Sequence, residues 1–262
     1  MLQAILASFR WKYILQLFGF QYTFLEMLHY LWIGIFCNQV LPSSIGGDVV
    51  RGYYLYKKGN SVKSSAISIL LDRISGIMSL VVLYLLTIPL LYNRLESFSA
   101  QLGVILVGIS LILIISAFFL LDMLPKKWSK ANFFNGLYSL SFEGRRVLLS
   151  KSSGSRLFVK SLIIHFLSIV AVIILSEGLN LKINWLNLFL VVPLTAMFMI
   201  LPVSIAGWGV REGIMVIGLG YLGIVPEEAL ALSILYGLLM LFFAIPGGII
   251  WFLDSFFRKI SS

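Results

Sequence analysis

Four apolar stretches, residues 66–92, 102–123, 157–179 and 229–253, reach the roughly 20 residues a helix needs to cross a ~30 Å hydrocarbon core. Two more, 24–41 and 186–201, are marginal in length. Both marginal runs end in the same kind of interruption. LPSSIGGDVVRG opens at Leu41 and LPVSIAGWGVREG opens at Leu201, so that Leu41, Pro42, Ser44, Ile45, Gly47, Val50 and Arg51 recur as Leu201, Pro202, Ser204, Ile205, Gly207, Val210 and Arg211. The matched residues include Pro, Gly and Arg, the types least at home in hydrocarbon. The pattern predicts four plain spans and two broken segments.

Composition agrees. With 60% hydrophobic and 12% charged residues, the chain has more apolar side chains than one soluble domain covers. Lys and Arg total 20 against 11 Asp and Glu, but the cations sit in short loops between spans, so orientation explains them and nucleic acid is not expected. Eight of them, Lys126, Lys127, Lys130, Arg145, Arg146, Lys151, Arg156 and Lys160, face one acid, Glu143, in a basic loop at about 123–160, which the positive-inside rule places in the cytoplasm. Trp128, Phe133, Phe134, Leu137, Tyr138 and Leu140 share that loop, so it reads equally as an interfacial helix on anionic lipid or as a solvated connection. Alternation puts Arg51, Lys57, Lys58 and Lys63 inside, Lys182 outside, and the C-terminus with Arg258 and Lys259 inside.

A full crossing by 24–41 would strand Arg10 and Lys12 on the side opposite Lys57 and Lys58. A re-entrant hairpin removes that conflict: 24–41 dips in, turns at 42–47, and returns by Tyr56. A second hairpin descends over 186–201, breaks at 202–209 and climbs back over 214–224. Three spans separate the hairpins, so they enter from opposite faces. The expected fold is an all-α polytopic membrane bundle with two re-entrant hairpins in an inverted-topology repeat, one domain over 1–262. Non-helical backbone at membrane depth survives only against protein or water, so both breaks should line an internal cavity.

Each intramembrane charge costs about 2.5–3.5 kcal/mol on insertion scales, so Asp48, Arg51, Asp72, Arg73, Arg211 and Glu212 are expected to be paired. Asp48 and Arg51 share a helical face if the chain after Gly47 is helical, and Gly46 and Gly47 free backbone N–H groups for an anion. Asp72 with Arg73, and Arg211 with Glu212, project about 100° apart and should meet partners on other elements. Glu177 reads as solvated. Cys37, His29 and His165 stand in apolar runs and read as packed or hydrogen-bonded; no metal site or cofactor is expected. The sequence carries no H-E-x-x-H, G-x-S-x-G or Walker pattern, so no catalytic residue is assigned.

NQVLPSSIGGDVVRGYYL, LLDRISG and LPVSIAGWGVREG, in that order, resemble the lysylphosphatidylglycerol synthase transmembrane region family, flippase-like integral membrane proteins. The resemblance runs from about Arg10 to Asp254. It maps an N-x-x-L-P-x-x-x-G-G-D-x-x-R pattern onto Asn38, Leu41, Pro42, Gly46, Gly47, Asp48 and Arg51. An acid–Arg pair falls on Asp72 and Arg73, with Asp where Glu is common. A P-x-S-x-x-G-x-G-x-R-E pattern falls on Pro202, Ser204, Gly207, Gly209, Arg211 and Glu212. It implies an integral protein of the inner or plasma membrane that moves a phospholipid or related lipid-linked substrate, aminoacylated in the best known branch, between leaflets. Members carry further spans before the Arg10 region, so the chain reads as N-terminally short. Their fused aminoacyl-transferase domain has no counterpart after Asp254. A lipid-modifying transferase, or an anchor for a separate transferase enzyme, is the alternative.

Overall fold

The structure is a computed structural model that describes residues 1–41, 45–92, 97–123, 132–200 and 204–260. The described residues form ten α-helices: α1 Leu2–Leu17, α2 Phe24–Val40, α3 Gly46–Lys57, α4 Val62–Leu91, α5 Phe98–Leu120, α6 Asn132–Leu148, α7 Ser153–Gly178, α8 Trp185–Met199, α9 Val210–Gly220 and α10 Pro226–Ile260. A 3-10 turn, Leu121–Met123, closes α5. Four helices are long and apolar enough to cross a membrane: Val62–Leu90, Phe98–Met123, Ser153–Gly178 and Pro226–Asp254. These are the four spans expected from the apolar runs, although α7 starts at Ser153 and so takes Arg156 and Lys160 out of the basic loop. The exterior is apolar, as a lipid-facing surface requires: Leu106, Ile109, Leu113 and Ile114 of α5 and Phe242, Ile245 and Ile249 of α10 are all exposed.

The helix starts are written locally. Ser61, Ser97 and Asn184 cap α4, α5 and α8 through side-chain oxygens. Thr23 and Glu26 form a reciprocal capping box on α2, and Glu227 and Glu228 lie at the positive end of α10. Glu26 also accepts a hydrogen bond from Lys58 at 2.9 Å, tying the start of α2 to the end of α3 at the mouth of the hairpin, outside the crossing helices. That ammonium, with the Thr23 backbone N–H, holds the Glu26 carboxyl at about 2, below its ordinary 4.5. A depressed folded-state pKa contributes stability above the ordinary value and loses it as pH falls toward the lower one. Unfolding in detergent should therefore show a stability loss between about pH 4.5 and 2 that Glu26→Gln reduces; identical acid limbs would remove this pair from the account.

The order of elements repeats. A helix, a tight helical pair and a long helix make up α1–α4 and again α7–α10. Each half has a core of its own, Trp11, Met27, Ile33 and Leu55 in the first, Ile169, Leu188, Met215 and Leu232 in the second. The halves exchange contacts: α2 lies against α10, α8 against α4, and α1 against α7. Three helices long and apolar enough to cross a membrane, α4, α5 and α7, stand between the two helical pairs, the odd number that an inverted repeat requires. Gly247 makes the α2–α10 approach close, since a Cβ there would run into the Trp32 carbonyl.

Residues 132–148 of the basic loop are helical, not a solvated connection. Leu140, Val147 and Leu148 of α6 are buried against α4, α5 and α7, and Gly144 sits on Phe118. Arg145 donates to Asp122 at 2.7 Å and to the Phe119 carbonyl, which pins α6 to the end of α5. Lys126, Lys127, Trp128 and Lys130 lie outside the described residues, as do Pro42, Ser44, Leu201 and Pro202 of the repeated motif.

Candidate functional site

The first break puts α2 and α3 in unusually close contact. A Cβ on Gly47 would collide with the Gly34 carbonyl, and one on Gly34 would lie 3.0 Å from the Arg51 side chain. Two missing side chains let the helices touch and let Arg51 pass over the gap. The Gly47 N–H donates to Asn38 Oδ1 at 2.7 Å, so this backbone group, expected to face an anion, is taken by the hairpin itself.

From that crossing runs a chain of alternating charge. Arg10 Nε donates to Asp72 Oδ1 at 2.8 Å, Arg51 Nη2 to Asp72 Oδ2 at 3.0 Å and Arg51 Nη1 to Asp48 Oδ1 at 3.2 Å. Arg73 closes the chain on Asp48 Oδ2. Asp48 and Arg51 thus pair across one helical face, and Asp72 and Arg73 find partners on other elements, as their spacing requires. Arg10 was expected to be a cytoplasmic topology charge; it is instead buried in the middle of α1. The sign of this was present, because the apolar pattern continues through Trp11, Ile14 and Leu15 without a helix stop. The cluster holds three guanidiniums on two carboxylates, a net charge of +1. Trp11 covers Arg51 at 4.0 Å, while the buried Arg51 Nε finds no hydrogen-bond partner among the described residues.

The second break builds its site differently. Gly207 and Gly209 have φ of 80° and 82°, positive values that glycine adopts without steric cost, and Ala206, at 53°, takes a positive φ with a side chain present. Arg211, 1% exposed, donates to the adjacent Glu212 at 2.6 and 3.0 Å, which corrects the expectation that these two look elsewhere. Glu212 turns back to accept the Gly209 N–H at 2.5 Å, and the long Arg211 stem wraps to follow it under Trp208. Space comes from Gly237, whose missing Cβ the guanidinium occupies. Ser-Ile-Leu stands at 68–70 and again at 233–235; two residues later come Asp72 in one half and Gly237 in the other. The second half has a hole where the first has its carboxylate, and Glu212 supplies the charge.

His29, on α2, and Tyr54, on α3, both bond Asp254 of α10, at 2.8 and 2.9 Å, a lock between hairpin and long helix that no spacing in the sequence announced. Cys37 is buried and packed. Glu177 is not merely solvated, since it accepts from Trp185 at 2.9 Å.

Between α3 and α4 a groove of about 480 Å³, walled by Val49, Tyr53, Ile69 and Leu70, reaches Asp48 at one end. A cavity of about 230 Å³ lies near the second hairpin, lined by Met199 and Met215.

No solved structure matches the chain. A UPF0104 membrane protein from Methanocaldococcus jannaschii is 32% identical over 75 residues, 28% of this chain and 22% of that protein, so the chain spans only a small part of its relative's length in this match. The profile of the lysylphosphatidylglycerol synthase TM region matches residues 1–248, a range containing both hairpins and both arginine clusters, and the chain belongs to that family of integral membrane proteins.

Proposed function

We propose that this protein moves an anionic or aminoacylated phospholipid, or a related amphiphile, between the leaflets of the inner or plasma membrane, with its C-terminus in the cytoplasm. The observation that carries the reading is the Arg10–Asp72–Arg51–Asp48–Arg73 chain, net positive at a re-entrant break and continuous with an apolar groove. A charged head at one end and a hydrocarbon wall beside it match an amphiphile. The surplus guanidinium charge and the unpartnered Arg51 Nε favour a phosphate in the head group, with Arg211 and Glu212 as the corresponding station of the other half. The acids Asp48, Asp72 and Glu212, those a transferase would need as a base, each accept from a guanidinium, which speaks for translocation over chemistry.

Arg51→Gln tests this without breaking the site, because Asp72 keeps Arg10 and Asp48 keeps Arg73. A charge-assisted hydrogen bond contributes about 1.5–3 kcal/mol, so movement of phosphatidylglycerol in reconstituted liposomes should fall by roughly 10- to 100-fold. Arg51→Lys should recover part of it, having charge without the planar fork. Parental rates in Arg51→Gln, or release of a covalently altered lipid by the purified chain, would overturn the reading.

A further inference from the structure

The two arginine clusters are joined by one face of α7. Ser161, His165 and Ser168 are spaced i, i+4, i+7, which stacks them on a single stripe about 10 Å long. At one end Ser161 accepts from Arg10 at 2.9 Å, inside the first cluster. At the other, Ser168 accepts from Gln3 at 2.6 Å and faces Tyr236 of α10, which lies in the field of Arg211. His165 stands between them.

Its surroundings are those of a binding group. The ring sits against Gly76 of α4, where a Cβ would lie 3.6 Å from its Nε2 and 3.5 Å from the Arg10 guanidinium. Nε2 is buried and without a hydrogen-bond partner among the described residues. His165 lines the 230 Å³ cavity together with Gln3, Ser168, Thr195, Met199 and Tyr236. That volume holds several water molecules, room for a phosphate and not merely one solvent molecule. At Gln3, Ser168 and Tyr236 the cavity adjoins another of about 380 Å³ between α1, α2 and α10. The charged group beside the ring is Arg10 from α1, itself ion-paired with Asp72 of α4, and beyond Tyr236 lies Arg211 of α9, paired with Glu212.

We infer that this cavity is a transit station for the lipid's phosphodiester between the two arginine clusters, with His165 Nε2 as the donor that receives it. The inference rests on the translocation reading and adds the route. The ring also faces the Gly76 backbone, but no well-formed hydrogen bond satisfies Nε2 there, and an apolar residue of similar size would spare the fold a buried, poorly satisfied polar atom. The seam also explains why Gln3, Ser161 and Ser168 interrupt otherwise apolar helices. A head group passing along α7 meets a hydroxyl or amide at each turn, while its chains stay in lipid.

Two measurements decide it. In His29→Gln protein labelled with 15N-histidine, His165 is the one remaining imidazole reporter. Its ring resonances in maltoside micelles should move on adding phosphatidylglycerol and stay in place with diacylglycerol, which has chains and no phosphate. No movement, or an equal response to inorganic phosphate alone, overturns a lipid head-group station. In liposomes, His165→Leu should slow phosphatidylglycerol movement about tenfold with a melting temperature equal to or above the parental one. His165→Gln, which returns a donor at similar reach, should stay within about threefold. Parental rates in His165→Leu overturn the inference. If the parental protein moves no lipid while the resonances still respond to phosphatidylglycerol, translocation falls and the binding station stands.

Discussion

Replacing Asp72 with Leu is expected to be among the most destabilising single changes in the described structure. Asp72 is 3% exposed and accepts from both Arg10 and Arg51. Removing it leaves Arg10 with Ser161 as its remaining polar contact and takes one of the two carboxylates from Arg51. Breaking a buried ion pair from one side typically costs about 3–5 kcal/mol, because the remaining charge stays buried without compensation. The loss should appear as a sharp fall in detergent melting temperature and in monodisperse yield. A second change tests the cause: Arg10→Met in the Asp72→Leu background removes the stranded guanidinium and should restore much of the stability, since Arg51 still has Asp48. Equal stability of Asp72→Leu and the parent would mean that the charge chain does not hold these helices together.

Gly47→Val should act through shape where Asp72→Leu acts through charge. The new Cβ falls on the Gly34 carbonyl, backbone that has no rotamer by which to withdraw, so α2 and α3 must separate. Overpacking of this kind costs about 1–3 kcal/mol, and occasionally more. The separation also carries Arg51 away from Asp72 and Trp11, so lipid movement should drop further than the melting temperature alone would suggest. Gly103→Ala is the matching control. No atom lies within 4 Å of a Cβ there, in the interior of α5, and the change should be neutral or stabilising by about 0.5–1 kcal/mol. If Gly47→Val behaves like Gly103→Ala, the close crossing is not what positions the cluster.

Much of the architecture was readable because a membrane imposes length and polarity rules on each segment separately. The four spans, the two marginal helices and the breaks between them follow from counting apolar residues, and the Asp48–Arg51 pair follows from helical spacing after Gly47. Other features depend on contacts between distant segments. Arg10 looked like a loop cation beside Lys12, and only the packing of α1 against α4 and α7 turns it into the first member of the charge chain. Arg211 and Glu212 were expected to look outward because neighbouring side chains diverge on a helix. A glycine 26 residues away, Gly237, leaves the space that lets the longer one fold back. Asp254, just past the last apolar run, was given no partner, yet it receives His29 and Tyr54 from the first hairpin.

By itself, then, the order of residues determined which segments enter the membrane, where they break, and which charges must be neutralised there, because each of those costs is borne locally, residue by residue, against hydrocarbon. Which partner neutralises which charge was decided by tertiary structure alone. Guanidiniums and carboxylates from α1, α3 and α4 meet because α2 and α3 approach through Gly34 and Gly47, and the seam of Ser161, His165 and Ser168 gains neighbours because α7 lies against α1. Pairing energy depends on distances of a few ångströms, and those are set by how helices remote in sequence settle against one another.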